Sequence, residues 1–125
     1  MNPIIRQKAQ KLLKHSNIKI IDPLDTINFH NVMRHAELIL TDSGGIQEEA
    51  AFLGIPVLVL RDTTERPEGV LAGTLKLVGT SKENIVNETR DLLTDKTKYE
   101  RMSGSANPYG DGTTSLQIIN ILNEK

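Results

Sequence analysis

The chain has no cysteine among its 125 residues, which removes disulfides, thiolate catalysis and cysteine-based zinc sites and fits a reducing, cytoplasmic setting. Tryptophan is also absent, and Phe29 is one of only four aromatic residues. Charge of one sign is lacking. Fifteen Lys and Arg stand against sixteen Asp and Glu, a net charge of -1, with no long run of either sign. Nothing therefore points to a counterion-releasing surface for nucleic acid, and any phosphate must be held locally. Long hydrophobic runs are missing too. Ile55-Pro56-Val57-Leu58-Val59-Leu60 falls far short of the ~20 apolar residues that span a bilayer, so no membrane partner is expected. The start of the chain enters an amphipathic helical pattern without an apolar h-region or a small-residue cleavage site, so no export signal is expected. His15, His30 and His35 show no metal-ligand spacing with nearby acids. The P-loop, hydrolase-elbow and zincin motifs lack their residues.

What is present is an alternation. Four short apolar runs, at 18–21, 38–40, 57–60 and 75–78, are rich in Ile, Val and Leu and read as buried parallel strands. Between them lie helix-length segments with apolar residues three or four apart, including Ile46, Ala50 and Leu53. The pattern predicts an α/β fold, a Rossmann-like parallel sheet flanked by helices, and the length suits one domain. Ile4, Ile5, Ala9, Leu12 and Leu13 mark one face of a preceding helix. Ser81 is placed to cap a helix carrying Ile85, Val86, Leu92 and Leu93, and residues 95–102 predict a further short helix. Beyond the breaker-rich loop Asn107-Pro108-Tyr109-Gly110-Asp111-Gly112, a final helix carries a broad apolar stripe of Leu116, Ile118, Ile119, Ile121 and Leu122, which something must cover.

The segment Leu38-Ile39-Leu40-Thr41-Asp42-Ser43-Gly44-Gly45-Ile46-Gln47-Glu48-Glu49-Ala50 predicts a strand, a tight turn and a helix start. A helix N-terminus presents unpaired N–H groups and the positive end of the helix dipole, so it can hold a phosphate. Gly44 and Gly45 leave room for backbone approach and Ser43 adds a hydroxyl; the alternative is a turn that needs glycine for its own geometry. Glu48 and Glu49 point about 100° apart on a helix, so one can face the ligand crevice, as a ribose-binding carboxylate does, while the other compensates the dipole. The loop after the 57–60 run carries Arg61, Thr63, Thr64 and Arg66, which suit phosphate or sugar, or else a solvated loop whose charges pair with each other. Phe29 can meet a nucleobase or pin its helix to the sheet.

Taken together, Leu40-Thr41-Asp42-Ser43-Gly44-Gly45-Ile46-Gln47-Glu48-Glu49-Ala50 and Gly54-Ile55-Pro56-Val57-Leu58-Val59-Leu60-Arg61-Asp62-Thr63-Thr64-Glu65-Arg66-Pro67-Glu68-Gly69 resemble the non-hydrolysing UDP-N-acetylglucosamine 2-epimerase family. Asp22-Pro23-Leu24, Gly73-Thr74-Leu75-Lys76-Leu77-Val78-Gly79-Thr80 and Asn107-Pro108-Tyr109-Gly110-Asp111-Gly112 extend the likeness nearly end to end. The resemblance implies one half of a glycosyltransferase-B-like two-domain fold, the C-terminal domain that binds UDP or a UDP-N-acetylhexosamine. The parent reaction would interconvert UDP-N-acetylglucosamine and UDP-N-acetylmannosamine by eliminating and re-adding UDP, in bacterial envelope-sugar synthesis and without cofactor or metal. Carried onto this chain, Ser43 and Gly44 resemble the diphosphate-binding hydroxyl and N–H, with Gly45 beside them. Glu49 resembles the ribose carboxylate and Phe29 the neighbour of uracil. Arg61, Thr64, Glu65 and Arg66 would be cleft contacts.

The resemblance implies that the acid and base carboxylates belong to the family's N-terminal domain, which this chain is expected to lack. No catalytic residue is therefore assigned, and the chain by itself is expected not to epimerise. The alternatives are a stand-alone nucleotide-binding or self-association module, the latter a homodimer built on the exposed interdomain face, and an active glycosyl-transfer enzyme of the same fold.

Overall fold

The computed structural model describes Ala9 and residues 15–124. It divides into two compact units, Met1–Val32 and Met33–Lys125. The expected amphipathic helix over residues 4–13 lies, apart from Ala9, outside the described residues. In the first unit, residues 18–25 have no regular secondary structure. The strand expected at 18–21 is therefore not formed. A strand exists only where a neighbour takes up its N–H and C=O groups, so a β-branched composition does not by itself make one. Helix α1, Thr26–Met33, follows. The Asp25 carboxylate starts it by accepting from the Asn28 N–H at 3.0 Å and from the Asn28 side-chain amide at 2.6 Å. These two bonds hold the Asp25 carboxyl below the usual range.

The second unit holds the sheet, in which β1 (Ile39–Thr41), β2 (Val57–Val59) and β3 (Leu75–Leu77) run parallel in the order β1-β2-β3. Ile39 pairs with Val57, and Val57 with Leu75. The ladder continues past the strand ends, with the Leu60 N–H on the Thr41 carbonyl at 2.9 Å and the Val78 N–H on the Val59 carbonyl at 3.0 Å. Val57, Leu58 and Val59 are wholly buried, as the central strand of a sheet covered on both faces must be.

Alternation along β2 separates the two layers. Leu58 joins Val78, Leu92 and Met102 in one cluster, which α4 (Lys82–Thr94) and α5 (Lys96–Ser103) supply from their buried faces. The crossover helices α2 (Gly44–Phe52) and α3 (Pro67–Ala72) join β1 to β2 and β2 to β3. Helices α4 and α5 follow the sequence closely. Ser81 occupies the N-cap position of α4 but makes no side-chain cap bond, whereas the Asp95 carboxylate caps α5 by accepting from the Lys98 N–H at 3.1 Å. Helix α6, Thr114–Asn123, has no buried residue, and its apolar stripe from Leu116 to Leu122 lies exposed.

Leu58 is expected to carry more stability than any surface leucine. Leu58→Ala should cost about 2–5 kcal/mol in urea denaturation, while Leu71→Ala, at an 87% exposed position, should stay within about 0.5 kcal/mol.

Candidate functional site

All three strands end on one edge, so the turn after β1 and the loop after β2 open side by side, where parallel sheets bind their ligands. At the first of these, the Ser43 N–H donates to the buried Thr41 hydroxyl at 3.1 Å, which turns the chain out of β1. Ser43 is the N-cap of α2, with φ -85° and ψ 127°, but its hydroxyl makes no cap bond and stays exposed. The first intrahelical donor here is Gln47, on the Ser43 carbonyl at 3.3 Å. Helical geometry therefore leaves the Gly44, Gly45 and Ile46 N–H groups without intrahelical acceptors.

The two glycines are not there for the turn. Positive φ occurs at Gly54, Gly73, Gly79, Gly110 and Gly112, and at neither Gly44 nor Gly45. A Cβ on Gly45 would meet nothing within 4 Å, and one on Gly44 would stand 3.7 Å from Arg66 Nη2, an ordinary contact. The fold could accept alanine at both positions, and glycine is the poorer helix former. What the pair provides is a bare backbone face at the positive end of a helix.

Helix α2 sits differently from the expectation. Its buried residues are Gln47, Ala50 and Ala51, while Ile46 is half-buried, Leu53 is 37% exposed and Phe52 is 66% exposed. The two alanines permit close approach to the sheet. Gln47 takes the remaining inward position because its Oε1 accepts from the Thr64 hydroxyl at 2.7 Å, across 17 residues of sequence. Its buried Nε2 has no hydrogen-bond partner among the described residues. This rotation leaves Glu48 and Glu49 half-buried, and the Glu48 carboxylate receives the Arg66 Nε.

The charges of the loop at 61–66 pair in two different ways. Arg61 and Glu65 pair with each other at 2.8 Å, both well exposed. The Glu65 carboxyl is held below its usual range by its own backbone N–H and then by Arg61. Thr64 and Arg66 instead turn toward α2. The Thr64 hydroxyl accepts from the Arg66 N–H at 3.1 Å while donating to Gln47. The Arg66 Nη1 donates to the Glu65 carbonyl at 3.1 Å. The hydrogen bond and charge of Glu48 raise the Arg66 guanidinium further above its ordinary value. Ser43, Gly44, Glu48, Thr64 and Arg66 are thus brought to one edge. Phe29 belongs to the first unit, where it is half-buried on α1 with its ring 6.5 Å from that of His30. Among the described residues no group of three His, Asp or Glu could hold a metal ion, and no helix is long and apolar enough to cross a membrane.

A family model described as UDP-N-acetylglucosamine 2-epimerase matches residues 1–123. The chain belongs to the UDP-N-acetylglucosamine 2-epimerase family. It is 56% identical over 120 residues to the UDP-N-acetylglucosamine 2-epimerase of Bacillus subtilis, covering 95% of this chain and 32% of that protein. In structure it is similar to the S. aureus MnaA–UDP co-structure, with TM-score 0.91, 52% identity, and 97% of this chain against 33% of that one. The Neisseria meningitidis UDP-GlcNAc 2-epimerase bound to UDP-GlcNAc matches with TM-score 0.90 and 47% identity, over 100% of this chain and 34% of that one. The chain thus spans about a third of the length of the epimerases it matches.

Two residues that shape this edge of the sheet escaped the sequence reading. Gln47 was invisible because hydrophobic periodicity counts a glutamine as polar. Tyr109 is the other. The Asn107 side chain clasps its loop, accepting from the Tyr109 N–H at 3.1 Å and donating to the Gly110 carbonyl at 2.8 Å. The phenol then reaches Gly69 in α3, where a Cβ would stand 2.2 Å from its oxygen, so α3 is held by a contact that only glycine permits. Burial, followed by the charges of Glu68 and Glu48, pushes the Tyr109 phenol up.

Burial also raises Tyr99, so both tyrosines favour the neutral phenol in the folded chain. Their contribution to stability is complete below the ordinary tyrosine value of about 10 and is lost as pH rises through the higher folded values. Tyrosinate absorbance in a pH titration should therefore rise later in the native chain than in urea; coincident curves would contradict this.

Proposed function

We propose that this chain is the UDP-binding domain of a UDP-N-acetylglucosamine 2-epimerase, spanning residues 1–125, and that Ser43 and the Gly44–Gly45 backbone hold the diphosphate. The observation that carries the reading is the bare glycine pair at the start of α2, which the backbone does not require and a ligand approaching the N–H groups does. Relatives solved with UDP and with UDP-GlcNAc support it. In this reading Glu49 binds the ribose, and Arg66 and Thr64 contact the ligand from the second loop, with Arg61 and Glu65 at its rim.

The reaction proposed for the whole protein is the exchange of UDP-N-acetylglucosamine and UDP-N-acetylmannosamine through elimination and re-addition of UDP. When the bond from the anomeric carbon to UDP breaks, negative charge grows on the β-phosphate. Donors already fixed at the α2 N-terminus and at Arg66 stabilise that charge without having to reorganise. Moving the proton at C2 needs an acid and a base within hydrogen-bond reach of that carbon. We assign these to the part of the family proteins outside this chain, in a cytoplasmic enzyme supplying envelope polysaccharide.

A second reading, self-association, is favoured by α6, where Leu116, Ile118, Ile119, Ile121 and Leu122 are 51–65% exposed. Sedimentation over a range of concentrations separates the two. A monomer that binds UDP supports the domain reading, while a stable dimer that ignores UDP supports the other.

Titration calorimetry with UDP should give a saturable isotherm at millimolar affinity or better. Ser43→Ala and Glu49→Ala should each weaken it about tenfold, the cost of one lost hydrogen bond to a charged or polar ligand group. Unchanged binding in both variants would remove the site assignment. The chain alone should not turn over UDP-N-acetylglucosamine, and measurable turnover would overturn the division of labour.

A further inference from the structure

We infer that Glu48 is a positioning residue of the proposed UDP site, fixing the Arg66 guanidinium so that its Nη2 edge faces the diphosphate turn. The inference rests on the UDP-binding reading above and assigns a role to a carboxylate that otherwise looks out of place beside an anion.

Glu48 follows Gly44 by four residues on α2, so it stands one helical turn above the glycine on the same face. Arg66 comes from the opposite loop and spans both. Its Nε donates to the Glu48 carboxylate, its Nη1 donates to the Glu65 carbonyl at 3.1 Å, and its Nη2 lies over Gly44, 3.7 Å from where a Cβ would be. A guanidinium is a rigid planar fork, so fixing the first two nitrogens also fixes the third. Nη2 is thereby held beside Gly44, at the helix start where the Gly44 and Gly45 N–H groups lack intrahelical acceptors.

The backbone of Arg66 is held independently. Its N–H donates to the Thr64 hydroxyl, which donates in turn to the fully buried Gln47. Consecutive residues of α2 therefore grip the same arginine, Gln47 through the main chain and Glu48 through the side chain. The ion pair itself is a poor stabiliser of the fold, because its partners are 33% and 41% exposed. Its geometric effect is larger than its energetic one. Without Glu48, a long arginine side chain would regain its rotamer freedom.

The sign of one measurement decides the matter. A carboxylate that merely neighbours an anion site repels the anion, so removing it should tighten binding. A carboxylate that aims an arginine has the opposite effect. UDP is titrated into the 125-residue chain as wild type, Glu48→Ala, Glu48→Gln, Arg66→Ala and the double variant Glu48→Ala with Arg66→Ala. Glu48→Ala should weaken UDP about tenfold, a readily resolved change in Kd, with the melting temperature nearly unchanged. Glu48→Gln should recover most of that loss, because its carboxamide oxygen still accepts from Nε. In the Arg66→Ala background, Glu48→Ala should change nothing further. Tightening or no change in Glu48→Ala, or losses that add in the double variant, would overturn the inference while leaving the UDP site intact. A wild-type chain that does not bind UDP would overturn the site reading and this inference with it.

Discussion

The rest of the structure depends on the burial of β2. With Val57, Leu58 and Val59 wholly out of water, every backbone N–H and C=O of the strand must find a partner, and β1 and β3 supply them from both sides. Because both pairings are parallel, each connection must cross back over the sheet, and the crossovers are α2 and α3. The direction common to the three strands then sends every carboxyl end to one edge. The Gly44–Gly45 turn and the arginine loop meet because the sheet is parallel, before any side chain interacts.

Electrostatics at that edge is local. The chain is nearly neutral, and the second loop confines Arg61 to Glu65 and ties Arg66 to Glu48. No broad basic surface is needed, because a helix N-terminus supplies partial positive charge through main-chain donors and a single oriented guanidinium supplements it. On the proposed reading, such an arrangement would suit a leaving group whose charge appears only as its bond breaks. It would be far less suited to a large polyanion, which is bound through many phosphates at once.

Membership of the epimerase family and a span of about a third of its relatives belong together with the contrast between β2 and α6. The central strand of the second unit is wholly buried, while its last helix has an apolar stripe and no buried residue. The proposed half-site shows the same contrast. The donors that would grip UDP are fixed by the sheet, and the groups that would move a proton are assigned elsewhere.

Much of this was legible in the sequence. Short Ile-, Val- and Leu-rich runs alternating with helical spacing determined an α/β class, three of the four strands and the place of the Gly44–Gly45 turn, because a strand buried on both faces tolerates almost nothing else. The family likeness was carried by residues around that turn and the loop after β2. Only the tertiary structure decided that residues 18–21 have no regular secondary structure, that α2 buries Gln47 in place of Ile46 and Leu53, and that Arg66 reaches back to Glu48. The physical reason is common to all three. Local pattern reports which residues prefer to leave water, whereas a ladder partner, a hydroxyl that donates to a buried amide oxygen and a carboxylate on a neighbouring element come from segments far along the chain.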